Sequence, residues 1–469
     1  MNYITTIGLE IHAELKTETK MFCNTANNPF DVKPNTNVCP VCMAYPGTLP
    51  TINKKAVESM IRVGLAVGGE IANFTEFDRK NYFYPDIPKA YQISQLKYPI
   101  VSGGNLADIE VTRVHLEEDT ATSKHEEGYS LVDYNRAGVP LMELVTEPVI
   151  HTPEEAGRFG RELQLLLRTL GVSDANMEKG EMRVELNISI APEGASELGT
   201  KVEVKNIASF NMMERGAYFE IERMKKLWEE GKQDEIIQET RGWNDIKQET
   251  FSQRVKENSA DYRYFPDPDL PKLYLHELFD IESMRADLPE LPAQKRSRYS
   301  EFDLKEEDVE LYVYDRELGL YFDNIISELK GDKNKLKIAS NFIANELQGS
   351  ELSVEEYISP FMMSEIIDML NGGELNSNAA TILATTPASA FASGISVRDY
   401  ATEKNLLQLN DESALEDIVV SVISSHSGPV EEYRAGKETI LKFLVGMCMK
   451  ESKGSGNPQK FEELLKKNI

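Results

Sequence analysis

The stretch Ile7-Gly-Leu-Glu-Ile-His-Ala-Glu-Leu15 decides the fold class of this chain. Apolar residues occupy every odd position, and glycine or a polar residue occupies every even one. A side-chain period of two predicts a strand that buries one side and exposes the other to water. Such half-buried strands are typical of antiparallel sheets with one wet face.

The same alternation returns further along the chain. Between Arg183 and Ile190 the even positions are apolar, and the odd ones are Arg183, Glu185, Asn187 and Ser189. Between Lys201 and Lys205 the odd positions carry lysine or glutamate. Helices are predicted between these strands, one of them opened by the capping-box sequence Thr152-Pro-Glu-Glu155. The sequence therefore predicts an α+β fold whose sheet has a wet face rich in carboxylates and interleaved with lysine.

The second part of the chain has a different pattern. Residues 285–297 contain two prolines and no long periodicity, which indicates a domain boundary. Short amphipathic helical segments follow, for example Lys335–Leu347 and Lys437–Met449.

Composition and charge exclude several classes of protein. The chain has 469 residues and a net charge of −27, so it is not a histone-like polycation. It lacks a run of about 18 apolar residues and a visible signal peptide, and its four cysteines are too few for a disulfide framework. These features predict a cytoplasmic protein with no membrane segment. Residues 434–469 are the exception to the acidic charge, with eight Lys and Arg against four Glu.

Several carboxylates and one histidine on predicted strands suggest a divalent-cation site. Glu10 and His12 share one strand face, and His115-Leu-Glu-Glu-Asp119 is an acidic cluster in which we single out Glu118. Glu143 lies among apolar residues, where a carboxylate is costly unless it is paired or bound to metal. Glu185 shares a polar strand face with Asn187. Each of these groups alone is also compatible with a solvated surface, but together they favour a Mg²⁺-binding floor.

A basic and aromatic segment, Asp78-Arg-Lys-Asn-Tyr-Phe-Tyr-Pro-Asp86, suggests contacts with phosphate and bases. Lys80 could hold a phosphate, and Tyr82 could stack on a base. The segment Asp261-Tyr-Arg-Tyr-Phe-Pro-Asp267 has the same character, and a buried aromatic turn is the alternative for both. The chain has no Gly-x4-Gly-Lys-Ser/Thr loop, so ATP chemistry would need another architecture.

The cysteines give an incomplete zinc pattern. Cys23, Cys39 and Cys42 supply three thiols where a structural zinc site needs four ligands. We therefore expect no structural zinc, although three thiols could hold the ion with another ligand.

Sequence strings along nearly the whole chain resemble the B subunits of the bacterial aspartyl/glutamyl-tRNA(Asn/Gln) amidotransferases. They are Ile7-Gly-Leu-Glu-Ile-His12, Ala44-Tyr-Pro-Gly-Thr-Leu-Pro50, Phe77-Asp-Arg-Lys-Asn-Tyr-Phe-Tyr-Pro-Asp86, Lys89-Ala-Tyr-Gln-Ile-Ser-Gln95, His115-Leu-Glu-Glu-Asp119, Asp133-Tyr-Asn-Arg-Ala-Gly-Val-Pro140, Asp261-Tyr-Arg-Tyr-Phe-Pro266, Phe443-Leu-Val-Gly446 and Gly454-x-Gly-Asn-Pro458. Some members of this family carry Cys-x-Cys and then Cys-x-x-Cys as a zinc site. Thr25 replaces one of those four cysteines here.

The resemblance implies a three-part organisation. A cradle-like catalytic domain would span residues 1–290, a helical domain 291–400, and a small tRNA-binding helical tail 401–469. It also implies a heterotrimer with two partners, an amidase subunit that releases ammonia from glutamine and a small third subunit.

The activity that the resemblance implies is ATP-dependent amidation of misacylated tRNA. The B subunits of the family bind Glu-tRNA(Gln) or Asp-tRNA(Asn) and phosphorylate the side-chain carboxylate with ATP, after which ammonia displaces phosphate. By match to the family's motifs, Mg²⁺ would be held by a set of five residues, Glu10, His12, Glu118, Glu143 and Glu185. The first four of these would be catalytic. Lys80 and Tyr82 would lie near the nucleotide or the tRNA acceptor end.

Two other functions fit the same residues. In a non-catalytic tRNA-binding scaffold, Glu10, His12 and Glu118 would be replaceable without loss of function. A free-standing ATP-dependent ligase would need neither aminoacyl-tRNA nor partner subunits.

Overall fold

The strand predicted at Ile7–Leu15 lies at the centre of a large sheet. It runs over Tyr3–Glu14 as β1, with strands paired on both of its sides. Ile7, Leu9 and Ile11 are at most 1% exposed, as the alternation predicts. The face that carries Glu10 and His12 lies opposite this apolar side.

The computed structural model describes residues 2–30, 32–255, 262–391, 394–408, 412–452 and 456–469. Asp261 and Gly454, which belong to two of the quoted motifs, lie outside the described residues. The chain divides into two units, Met1–Pro292 and Ala293–Ile469. The division of the second part at residue 400 stays a prediction.

The first unit holds all the described strands. After β1 they are β2 (Glu70–Ile71), β3 (Phe74–Thr75), β4 (Asp78–Asn81), β5 (Tyr91–Ser94), β6 (Val101–Ser102), β7 (Asn105–Leu106), β8 (Ile109–Glu118), β9 (Thr122–Glu126), β10 (Tyr129–Asp133), β11 (Pro140–Thr146), β12 (Met182–Pro192), β13 (Val202–Ile207), β14 (Glu239–Asn244), β15 (Glu249–Val255), β16 (Phe265–Pro266) and β17 (Leu273–Tyr274). The main sheet has the order β15-β14-β13-β12-β1-β11-β8-β6-β2, with β7 also paired to β8. Its described strand pairs are antiparallel except β13–β14, which is parallel.

Helices cover the apolar face of this sheet. The first unit contains α1 (Lys54–Ala66), α2 (Pro153–Leu170), α3 (Phe210–Glu229), α4 (Leu275–Leu278) and α5 (Ile281–Ala286). The apolar sides of α1, α2 and α3 share one core with β1, β8, β11 and β12. The capping box predicted at Thr152 is present, because the Thr152 side chain accepts a hydrogen bond from the Glu155 backbone N–H. The core therefore supports the sheet from one side, and the polar side chains lie on the other.

The named secondary-structure elements of the second unit are all helices in the part of the chain that the structure describes. Its helices are α6 (Pro292–Ser300), α7 (Glu306–Tyr314), α8 (Arg316–Glu328), α9 (Lys333–Asn341), α10 (Pro360–Asn371), α11 (Ser377–Ala384), α12 (Val397–Glu403), α13 (Glu412–Ser425), α14 (Ser427–Arg434), α15 (Thr439–Glu451) and α16 (Pro458–Asn468). A π-helical turn, Phe342–Leu347, follows α9. The last four helices share a core of their own, to which α15 contributes Leu444 and α16 contributes Phe461. The predicted α+β fold, with a helical part after the sheet, is confirmed.

No described helix combines the length and the apolar character needed to cross a lipid bilayer.

Candidate functional site

Four polar side chains lie opposite one another across four neighbouring strands. His115 on β8 pairs with Glu143 on β11, Glu143 pairs with His12 on β1, and His12 pairs with Arg183 on β12. The Glu143 carboxylate lies 3.4 Å from His12 Nε2 and 3.3 Å from His115 Nε2. The carboxylate predicted to need partners in an apolar strand thus has two imidazoles beside it.

Glu117 joins this row from the next outward-facing position of β8. One of its oxygens lies 3.6 Å from His12 Nε2, and the other is buried with no hydrogen-bond partner among the described residues. Ligand atoms of His12, Glu117 and Glu143 all lie within 4.8 Å of one another. We call these three residues the first acidic group.

A second group contains His12 again, together with Glu10 and Glu185. Their ligand atoms also lie within 4.8 Å of one another. Lys205 on β13 borders this group, because its Nζ is 2.7 Å from Glu185 and 3.6 Å from Glu203. We call the two acidic groups, joined through His12, the polar floor.

The pKa values on the floor reflect the crowding of carboxylates. Although burial disfavours its ionised form, the imidazoles of His115 and His12 hold the pKa of Glu143 well below its usual range. Burial also opposes a charge on His12, but its hydrogen bond with Glu143 and the Glu117 carboxylate raise the pKa of His12 to about 9. Burial, and then the charges of Glu143 and Glu185, raise the pKa of Glu10. Because its carboxylates lie close together, the polar floor would be stabilised by a further positive charge.

The floor meets the chemical requirements of a hard divalent cation. Its carboxylate oxygens are the ligands that Mg²⁺ prefers, and the His12 imidazole, which must release its proton to bind a metal, is a ligand that Mn²⁺ also accepts. Buried atoms without a hydrogen-bond partner among the described residues include one Glu117 oxygen, Asn187 Oδ1 and His115 Nδ1. Buried polar atoms normally have a hydrogen-bond partner. A cation bound at the polar floor would supply the missing partner for the oxygens nearest to it.

Glu118 does not lie on the floor, which corrects the placement expected from the sequence. Its carboxylate accepts hydrogen bonds from Lys89 Nζ at 2.7 Å and from the Ile93 backbone N–H at 2.9 Å. Because side chains alternate along β8, Glu118 points away from the face that carries His115 and Glu117. The structure thus brings together Glu10, His12, Glu143 and Glu185 from the predicted set and places Glu117 where Glu118 was expected.

Lys80 and Tyr82 lie where the two predicted aromatic segments meet. The Asn81 N–H donates to the Tyr262 carbonyl at 2.9 Å, and Lys80 Nζ lies 5.1 Å from the centre of the Tyr262 ring. Burial works against the charge of Lys80, but Glu117 and then Tyr264 and Glu143 raise its pKa. The Lys80 ammonium is therefore electrostatically coupled to the polar floor.

Glu117, His115 and Lys205 lie at the site, although none of them is among the residues singled out from the sequence. The alternation of side chains along β8 was enough to predict His115 and Glu117. His115, Glu117 and Asp119 fall on one face of the strand, and Glu118 falls on the other. The contact of Lys205 with Glu185 depends on the register between β12 and β13, and this register shifts between Val184 and Leu186. A bulge of this kind has no clear mark in the sequence.

The three cysteines form a cluster at a separate place. The sulfurs of Cys23, Cys39 and Cys42 lie within 4.8 Å of one another. Thr25 occupies the place of the fourth cysteine of the family's zinc pattern, and its hydroxyl is 3.4 Å from Cys23 Sγ. Structural zinc sites take cysteine or histidine ligands, and a neutral hydroxyl does not complete such a set. The four-thiolate zinc site of some family members therefore does not fit these residues.

Comparisons with known proteins point to one family. The chain matches the family model "GatB/GatE catalytic domain" over residues 5–279 and the model "GatB domain" over residues 320–469. It is 43% identical to the B subunit of an aspartyl/glutamyl-tRNA(Asn/Gln) amidotransferase of Dehalococcoides mccartyi, over the whole chain and 99% of the relative. It is 41% identical to the corresponding protein of Thermoanaerobacter pseudethanolicus, with both chains fully covered. The B subunit of a glutamyl-tRNA(Gln) amidotransferase of Sorghum bicolor is also 41% identical, over 98% of this chain and 86% of the relative.

With matches of this length and identity, and with the sheet-and-helix architecture that the motifs predict, the chain belongs to the B subunits of the tRNA-dependent amidotransferases.

Proposed function

We propose that this chain activates the side-chain carboxylate of a misacylated tRNA for amidation. It binds Glu-tRNA(Gln) or Asp-tRNA(Asn) and directs the terminal phosphoryl group of ATP onto the carboxylate. Ammonia released by a partner amidase subunit then displaces phosphate to give the amide. A small third subunit completes the heterotrimer.

The observation that carries this proposal is the polar floor. A free carboxylate is a poor acyl donor, and conversion to an acyl phosphate supplies a leaving group. Phosphoryl transfer depends mainly on positioning and on neutralising phosphate charge, rather than on a protein nucleophile. The close approach of several carboxylates, and a buried Glu117 oxygen with no hydrogen-bond partner among the described residues, support a divalent cation at the polar floor.

Each residue group has a role in the proposal. Glu10, His12, Glu117, Glu143 and Glu185 would hold Mg²⁺, with His12 releasing its proton to solvent when the metal binds. The bound ion would neutralise phosphate oxygens and orient the nucleotide. Lys80 contributes a positive charge beside the floor, and Tyr82 lies next to it toward the nucleotide or the acceptor end of the tRNA. His115 positions the Glu143 carboxylate, whereas the Arg183 guanidinium pairs at 2.6 Å with Asp119, a carboxylate outside the polar floor.

The test is ADP release by the chain assembled with its partner subunits. We expect ADP only when misacylated Glu-tRNA(Gln) is supplied, and background release with uncharged tRNA(Gln). Amide formation from glutamine should require the partners, because the chain shows no glutaminase motif.

Three other outcomes of this experiment would argue against the proposal. ADP release without aminoacyl-tRNA or partners would indicate a free-standing ligase. Tight tRNA binding without ADP release under any of these conditions would indicate a scaffold. Glutamine-dependent amidation by the chain alone would contradict the partner assignment.

A further inference from the structure

The cysteine cluster contains a lysine that is completely buried. Lys20 is 0% exposed, and its Nζ donates to the carbonyls of Asn37 at 2.8 Å and Tyr134 at 3.2 Å. A third contact is Cys42 Sγ, 4.0 Å away. No carboxylate among the described residues forms an ion pair with Lys20, although a buried ammonium needs a counter-charge.

Cys42 is the group best placed to supply that counter-charge. Its sulfur accepts the Cys39 backbone N–H at 3.1 Å and faces the Lys20 ammonium. A hydrogen bond from Cys23 is the largest cause that lowers the pKa of Cys42, and the Cys39 N–H and Lys20 act in the same direction. Burial lowers the pKa of Lys20, and Cys42, then Cys23, Cys39 and Asp133, oppose that shift. Cys42 Sγ also lies 3.5 Å from the Cys39 carbonyl, a contact that a protonated thiol makes, whereas the Cys39 N–H and the Lys20 ammonium favour the thiolate.

Two of the three cysteines also border a cavity. Cys23 and Cys42 line a cavity of about 280 Å³ whose walls include Lys89 and Glu118. All the cysteines of the chain are free thiols. A thiolate with a thiol neighbour beside an open cavity is the arrangement of an oxidation-sensitive cysteine pair.

We propose that Cys42 is a peroxide-reactive thiolate with Cys23 as its resolving thiol. The Cys42 sulfur attacks one peroxide oxygen, so that an S–O bond forms, the O–O bond breaks, and the peroxide is reduced to water after taking up a proton. The Cys23 sulfur then attacks the sulfenic sulfur of Cys42. The hydroxyl leaves with the Cys23 proton as a second water, and the disulfide forms. The pair is a modification site separate from the polar floor and does not depend on the proposed function.

The first test measures alkylation rates of the individual cysteines in the full-length chain. With limiting iodoacetamide near neutral pH, Cys42 should react at least about 10-fold faster than Cys23 or Cys39, although it is the most buried of the three. Its rate should stay nearly flat between about pH 6 and about pH 8, where an ordinary thiol gains about 10-fold per pH unit. A Cys42 rate that rises like an ordinary thiol, or that does not exceed the other two, would overturn the proposal.

Variants test the role of the lysine. Lys20→Met should lower the neutral-pH rate of Cys42 by about 10-fold, and Lys16→Met, which changes an exposed lysine nearby in sequence, should leave it unchanged. If Lys20→Met does not fold, the pH profile of the wild-type chain decides on its own.

Peroxide treatment tests the resolving thiol. Peptide mapping should show a Cys23–Cys42 disulfide in the wild type and in Cys39→Ser. Cys23→Ser should leave a sulfenic acid on Cys42 that dimedone captures. A disulfide that joins Cys39 instead, or one tightly bound zinc per chain that protects the thiols, would contradict the proposal.

Discussion

At the scale of single residues, the two adjacent glutamates of β8 have different surroundings. Glu117 faces His12, with one oxygen 3.6 Å from its Nε2, whereas Glu118 is held by Lys89 and a backbone N–H. Glu117→Gln should therefore weaken Mn²⁺ binding by at least about 10-fold, because a buried ligand charge is lost. Glu118→Gln should leave the Mn²⁺ affinity within about 2-fold of the wild type.

Isothermal titration of the full chain with Mn²⁺ makes this comparison directly. Equal losses in the two variants would mean that Glu118 also reaches the cation. No loss in Glu117→Gln would mean that the polar floor does not bind a divalent cation.

The residues of the site were predictable to the extent that strand alternation determines them. Glu10, His12 and Glu185 follow from period-two patterns, and Glu143 from the cost of a carboxylate among apolar neighbours. The choice of Glu118 over Glu117 ignored that same alternation. Lys205 could not be chosen in this way, because its contact with Glu185 depends on pairing between strands that the sequence does not show.

At the scale of elements, α3 is joined to the far edge of the sheet by buried charges. Glu220 on α3 is 0% exposed, lies 3.3 Å from the Arg241 guanidinium on β14, and accepts a hydrogen bond from Thr250 on β15 at 2.7 Å. Arg223, one turn along α3, forms a second ion pair with it. This network attaches the helix to the strands that border Lys205.

Glu220→Gln should destabilise the first unit substantially. Removing this charge leaves two partly buried arginines short of a partner, which costs about 2–4 kcal/mol. Glu222→Gln on the same helix changes a half-exposed carboxylate and should cost less than about 1 kcal/mol. Urea unfolding of the two variants provides the measurement, and equal midpoints would show that the buried network does not contribute to stability.

Local signals predicted the helices better than they predicted the order of the strands. Thr152 caps its helix as the capping-box sequence predicts, and Asn53, Ser209 and Asn457 cap theirs by the same side-chain chemistry. The parallel pairing of β13 with β14 was not predicted, because it joins segments separated by α3. Pairing over such a distance depends on tertiary packing, which a local pattern does not record.

At the scale of the whole molecule, the basic C-terminal segment is part of a folded core. Residues 434–469 contain α15 and α16, which contribute Leu444 and Phe461 to the core of the last four helices. Deleting this segment to test tRNA binding would therefore disturb the fold as well as the charge. Substitution of exposed lysines separates the two effects.

Changing Lys442, Lys466 and Lys467 together to glutamine should weaken tRNA binding and reduce its salt dependence. Each lost phosphate contact should lower the log–log salt slope by about 1. The same change at Lys330, Lys333 and Lys337, which are also exposed in the second unit, is the control for net charge. Filter binding over a series of salt concentrations gives both quantities. An unchanged slope in the first variant would remove the C-terminal segment from the tRNA interface.

If the polar floor carries out the phosphoryl step, ADP release by the assembled chain depends on its carboxylates. The chain assembled with its partners is compared with Glu117→Gln and with Glu110→Gln, which changes an exposed glutamate on the same strand. With Glu-tRNA(Gln) present, Glu117→Gln should release ADP about 10²–10³-fold more slowly than the wild type, and Glu110→Gln at the normal rate. Glutamine hydrolysis by the partner amidase should continue at its basal level in both variants. Normal ADP release from Glu117→Gln would show that the polar floor does not carry out the phosphoryl step.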